Sequence, residues 1–212
     1  MCSSDLSRAH PLFTIGHSNL EPPPFLELLR RFEIAVLCDV RSRPQSGRFP
    51  QFNQDVLEEL LREVNIRYLF LGEELGGRPA DPKLYRADGI ANYAACRKSF
   101  GFRQGVERVL TELQSHAVAL MCAEEDPLTC HRFLMICPEL AAAGVAPQHI
   151  RRGGTIESQR EAEDRVLGAQ DLSGFSGASL FPADRNAALE DAYRLQAEHC
   201  AFRVDPEAVE RW

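Results

Sequence analysis

Cys130-His131-Arg132 sets a thiol, an imidazole and a guanidinium side by side. They follow an apolar run, Ala117 to Cys122, that reads as a buried strand, and a polar loop containing Pro127. They precede Phe133-Leu134-Met135-Ile136-Cys137, which reads as an apolar helix. At a strand-to-helix turn, backbone N–H groups and the helix dipole converge, which favours anions and thiolates. Beside His131 and Arg132 the Cys130 thiol has the setting of a nucleophile with a lowered pKa. The competing reading is packing, because Cys130, Phe133, Leu134 and Cys137 fall at i, i+3, i+4 and i+7, the stripe of a core-facing helix. Glu124, in the loop between, is a candidate acid or base.

Other strand ends carry comparable chemistry. His17 and Ser18 follow Gly16, which closes the β-prone run Leu12-Phe13-Thr14-Ile15. Asp39 ends a second apolar run and leads into Arg41, with Arg43 and Arg48 in the next loop. In a doubly wound sheet these loops share one edge. The candidate catalytic set is therefore Cys130, His131, His17, Glu124 and Asp39, and the candidate anion-binding set is Arg41, Arg43, Arg132 and Ser18. A zinc or iron site from Cys122, Cys130, His131 and His17 is the alternative, since thiolate and imidazole suit those metals. Cys-x7-Cys-His is an unusual ligand spacing, however.

The chain is ordinary for a globular protein: 212 residues, 44% hydrophobic and 26% charged, with a formal net charge of −7. Residues 169–212 hold 4 basic and 8 acidic side chains, a net of −4. This acidic balance disfavours a broad nucleic-acid footprint, which needs a basic face. No apolar run approaches the roughly 20 residues of a membrane span, so no membrane partner is expected. Residues 1–11 read as a loose leader without the apolar segment of a secretory signal, which makes the cytoplasm the expected location. Seven cysteines without a C-x-x-C pair argue against a disulfide framework.

Positioning these groups requires strands at about 12–15, 34–40, 66–71, 117–122 and 147–150. Helices alternate with them: one opened by Pro22-Pro23-Pro24, one carrying Val56, Leu57, Leu60 and Leu61 after Asn53 or Asp55, one or two over 91–114, and a charged one from about Ser158. The expectation is an α/β fold with a mostly parallel sheet of about five strands and helices on both faces. One domain spans 12–168. A C-terminal extension, 169–212, comprises the flexible stretch Ser173 to Gly177 and an acidic helix whose Leu189, Tyr193 and Leu195 need cover. The long loop Gly72 to Gly89 carries Gly76-Gly77-Arg78, a turn that also permits close backbone approach. His149 reads as a core imidazole.

Thr14-Ile15-Gly16-His17-Ser18, Asp39-Val40-Arg41, Leu75-Gly76-Gly77, Met121-Cys122-Ala123-Glu124, Cys130-His131-Arg132 and His149-Ile150 occur in that order. Together they resemble a widespread prokaryotic family catalogued as a domain of unknown function, over about residues 12–168. The resemblance implies an α/β domain and supplies no reaction and no cofactor. Three functions remain open on the residues: an enzyme, hydrolase or transferase, acting on a small anionic or phosphate-bearing substrate through Cys, His and Arg; a metal-binding protein; and a non-catalytic nucleotide or nucleic-acid module.

Overall fold

In a computed structural model, which describes residues 10–172 and 182–205, the apolar runs form one sheet with a layer of side chains on each face. Its strands are β1 (Leu12–Gly16), β2 (Val36–Asp39), β3 (Arg67–Phe70), β4 (Val118–Cys122), β5 (Gln148–Ile150) and β6 (Ile156–Ser158). Along β2 and β4 the period of two is clean: Val36, Cys38, Val118, Leu120 and Cys122 face one core, and Leu37, Ala119 and Met121 face the other. Strands buried on both sides need unbroken apolar sequence, which is why these two were readable as continuous runs.

Helix α1 (Pro22–Arg31) and α2 (Gln54–Glu63) cover the second core with Phe25, Leu28, Leu29, Leu57 and Leu61. Three prolines fit the first turn of α1 because its N–H groups have no intrahelical partner there. Asn53 sits at the N-cap of α2, but its side chain accepts from Ser46 N at 2.6 Å and so pins the Arg43–Arg48 loop. The first core is covered by α3 (Gly72–Leu75), α4 (Tyr93–Lys98), α5 (Phe100–Glu112), α6 (Cys137–Ala142), α7 (Gln159–Ala169) and α8 (Pro182–Cys200). Ser99 separates α4 from α5 by ending one and capping the other, its Oγ accepting from Phe102 N.

The sheet order is β3-β2-β4-β1-β5-β6, parallel except for β6. The sixth strand goes beyond the five expected. It is three residues long at the sheet edge, with Ile156 exposed, and its last residue Ser158 also forms the capping box of α7 with Glu161. From β2 the chain moves outward to β3, whereas from β4 it crosses β1 to reach β5. The loops leaving β2 and β4 therefore diverge, opening a crevice at the carboxyl ends of these two neighbours.

The helix after β4 also departs from the expected regular start. Cys130 closes a 3-10 turn, Pro127–Thr129, in extended conformation, and Arg132–Ile136 form a π-helical turn before α6. Pro138 explains the widening, since it has no N–H and its ring excludes the carbonyl four residues back. On α8, Leu189, Ala192, Tyr193 and Ala197 join the first core, and the Tyr193 ring meets Phe133 edge-on at 5.3 Å. Leu195 is half-buried. Residues 1–9 and Ser173 to Gly177, read as leader and flexible stretch, lie outside the described residues. No described helix is long and apolar enough to cross a membrane.

Candidate functional site

At the end of β2, Asp39 is fully buried and meets Arg41 through two carboxylate–guanidinium bonds, Nε to Oδ1 at 2.9 Å and Nη2 to Oδ2 at 2.6 Å. Arg41 N also donates to Oδ1, and Tyr68 Oη from β3 donates to Oδ2 at 2.9 Å. The same guanidinium donates to Phe52 O and, at 3.2 Å, to His17 Nε2. Burial opposes the Arg41 charge, but the hydrogen bond and charge of Asp39 outweigh it and raise its pKa. Burial first and the Arg41 charge second pull His17 down to about 4. Its Nδ1–H donates to Ser18 O at 2.9 Å, a contact Ser18 reaches by taking a left-handed φ of 47°. The ring stacks on Phe52 with centroids 4.3 Å apart. His17 is thus a neutral imidazole with both nitrogens engaged.

The end of β4 is built differently. His131 Nε2–H donates to Val40 O at 2.9 Å, which leaves Nδ1 facing two thiols, Cys122 Sγ at 3.7 Å and Cys130 Sγ at 3.8 Å. All three atoms lie within 4.8 Å of one another. Cys122 Sγ also stands 3.0 Å from Glu124 Oε2, to which it donates. The hydrogen bond with Cys130 and burial hold the Cys122 thiol up. Burial works against a Cys130 thiolate, but Cys122 and the charges of Arg132 and His131 draw its pKa down. Burial, then the charge of Cys130, raises Glu124.

Backbone contacts hold this cluster in register. A Cβ at Gly77 would lie 2.8 Å from His131 Cγ, so only glycine admits the ring there. A Cβ at Gly16 would collide with Glu124 O at 1.7 Å, so β1 presses directly on the loop after β4. Arg132 is fully buried beneath that loop, donating Nη1 to Glu124 O, Nη2 to Glu125 O and Nε to Thr14 Oγ1. Thr14 Oγ1 in turn bonds His149 Nδ1 at 2.8 Å, and His149 Nε2 bonds Gln159 at 3.2 Å. Burial and the Arg132 charge take His149 down to about 3.

The crevice has a volume of about 430 Å³. Cys122, Glu124 and His131 line it, and so do Arg41, Arg43 and Arg78. Cys130, 1% exposed, lies behind His131, and Asp39 lies behind Arg41. His17, Ser18 and Arg132 do not line it. Tyr93, Cys200 and Phe202 also line it, although no sequence pattern singles them out for the site. Phe202 carries the Arg78 guanidinium over its ring at 4.5 Å, and no local motif announces that contact from so far along the chain.

A family model described as Domain of unknown function DUF488 matches residues 22–136, more than half of the chain. The chain belongs to that family. Comparison with curated proteins returns no match, and neither does comparison with solved structures. The DUF488 match contains most of the crevice lining, from Arg41 to His131. His17, His149 and the Cys200–Phe202 segment lie outside it.

Proposed function

We propose that this DUF488 protein is a cytoplasmic enzyme, a hydrolase or transferase acting on a small anionic or phosphate-bearing substrate in the crevice between β2 and β4. One observation carries the reading. A thiol, a carboxylate and an imidazole line, together with three arginines, a cavity of small-molecule size. Among the described residues Arg43 and Arg78 are exposed and form no ion pair. Arg41, held by Asp39, adds fixed positive charge at the crevice edge, and Ser42 Oγ fixes Arg78 by accepting from its backbone N–H at 2.9 Å. The anion is held by Arg43 and Arg78. The reacting centre of the substrate then meets Cys122, Glu124 and His131, with Cys130 behind them as the ionised partner. Arg132, Asp39 and His17 act as positioning residues.

Calorimetric titration of inorganic phosphate and pyrophosphate into the wild type and an Arg43→Ala/Arg78→Ala variant tests the anion site. Each lost charge-assisted bond is worth about 1.5–3 kcal/mol, so affinity falls roughly tenfold or more, and wild-type binding weakens with salt. No wild-type binding, or equal binding by both proteins, removes the reading.

A further inference from the structure

We propose that Cys122 Sγ, Cys130 Sγ and His131 Nδ1 bind a single transition-metal ion of the zinc class, with a fourth coordination position open to the crevice. The inference rests on the crevice being the reactive site and names what powers it. Three donor atoms already converge. Nδ1 lies 3.7 and 3.8 Å from the two sulfurs, and a tetrahedral zinc site with Zn–S of about 2.3 Å and Zn–N of about 2.0 Å has N···S edges of about 3.6 Å. Both N···S edges therefore match a metal-bound arrangement to within a few tenths of an ångström.

The surrounding groups match such a site. Metal-binding imidazoles fix their orientation by donating the outer N–H, and His131 Nε2–H does so to Val40 O while Gly77 packs against the ring face. Two thiolates and an imidazole select zinc, iron or copper(I) over magnesium and calcium, which prefer oxygen. With both thiols and Glu124 ionised, three negative charges are balanced by a dication and the buried Arg132 guanidinium. The spacing that looks wrong in sequence is met in space because Cys122 comes from a strand end and Cys130-His131 from the turn folded back over it.

Cys130 lies at the back, while Cys122 and His131 line the crevice, so the remaining vertex points into the open volume. Three protein ligands with an open position mark catalytic rather than structural sites, the position taking water or a substrate oxygen. Glu124, beside Cys122, is placed to exchange a proton with that group.

The test is native mass spectrometry of the full chain, purified anaerobically and titrated with Zn²⁺, alongside Co²⁺ absorption spectra. One metal per chain is expected in the wild type, with the intense thiolate-to-cobalt band of two sulfur ligands. Cys130→Ser, isosteric and checked for folding by circular dichroism, should lose stoichiometric metal, whereas Glu124→Gln should keep it. Absence of stoichiometric metal in the wild type, absence of the thiolate–cobalt band, or equal binding by a folded Cys130→Ser overturns the inference. The cobalt spectrum needs no variant and decides the matter if Cys130→Ser does not fold. Phosphate binding that persists without metal leaves the anion site standing and removes only the metal. Metal binding without arginine-dependent phosphate binding removes only the anion site.

Discussion

His17 and His131 each lie beyond the carboxyl end of a parallel strand, each is buried, and each gives one ring nitrogen to a backbone carbonyl. What the second nitrogen meets separates them. His17 Nε2 faces the Arg41 guanidinium, so protonation is opposed by both burial and charge, and the ring serves packing against Phe52. His131 Nδ1 faces two thiols, polarizable groups that give up protons to a metal. Residue type and burial are the same at the two sites. On the proposed reading, the charge of the nearest neighbour assigns one to structure and the other to chemistry.

If that division holds, the Arg41 side answers to stability and the His131 side to binding. Asp39→Ala should carry the largest effect, because it strands a buried guanidinium, and loss of one partner of such a pair costs about 3–5 kcal/mol. Urea unfolding measures it. His131→Ala removes a ring beside Cys130, but that thiolate can take up a proton whereas a guanidinium cannot shed one, so its loss should be smaller while Zn²⁺ binding in native mass spectra disappears. Equal stability losses in the two variants would erase the contrast.

A second measurement extends it to His149, which belongs with His17. Its folded pKa is near 3 and its unfolded value near 6.5, so between these the unfolded chain holds a proton that the folded chain lacks. Stability from this group is complete above pH 6.5 and falls on acidification by about 1.4 kcal/mol per pH unit. From pH 6 to pH 4 the wild type should lose about 2–3 kcal/mol more than His149→Gln. Parallel pH profiles for the two proteins would mean that His149 is protonated in the fold.

How far these roles could be read from sequence depends on the range of the interaction. Strands β1, β2 and β4 were legible because burial on both faces demands unbroken apolar runs. That the loops after β2 and β4 lie side by side was legible too, since loops after parallel strands share an edge. The edge strand β6 was not, because a three-residue exposed strand leaves no pattern distinct from the helix start at Ser158. Arg132 read equally well as an anion ligand, whereas three of its N–H groups go to Thr14 Oγ1 and two carbonyls, partners that no sequence names. Cys122 read as a strand residue on the core face, and only the folded-back Pro127–Thr129 turn brings Cys130 and His131 to it. Gly77 was legible as a turn, but its contact with the His131 ring is tertiary.

Gly77→Ala sharpens the comparison by moving one histidine alone. The added methyl would sit 2.8 Å from His131 Cγ, so the ring must tilt, stretching its bond to Val40 O and turning Nδ1 from the sulfurs. Overpacking of this kind costs about 1–3 kcal/mol. Zn²⁺ affinity should fall by about tenfold or more, as when the outer partner of a metal-binding imidazole is lost. Unaltered affinity would mean that Gly77 serves the turn alone.

The smallest effect is expected on the structural side, at Tyr68. Asp39 accepts four hydrogen bonds, two at each oxygen, and three of them come from Arg41. Tyr68→Phe removes the fourth and keeps the ring, so urea unfolding should register about 1 kcal/mol and metal binding should not change. A cost approaching that of Asp39→Ala would show that Arg41 alone does not satisfy the carboxylate. The buried pair would then be a three-membered unit reaching from β2 into β3. A change in metal affinity would be more damaging, because Tyr68 touches only Asp39 on this path. It would mean that the two ends of the crevice are mechanically coupled through Arg41 and Val40, and that the line between a structural and a chemical histidine is drawn in the wrong place.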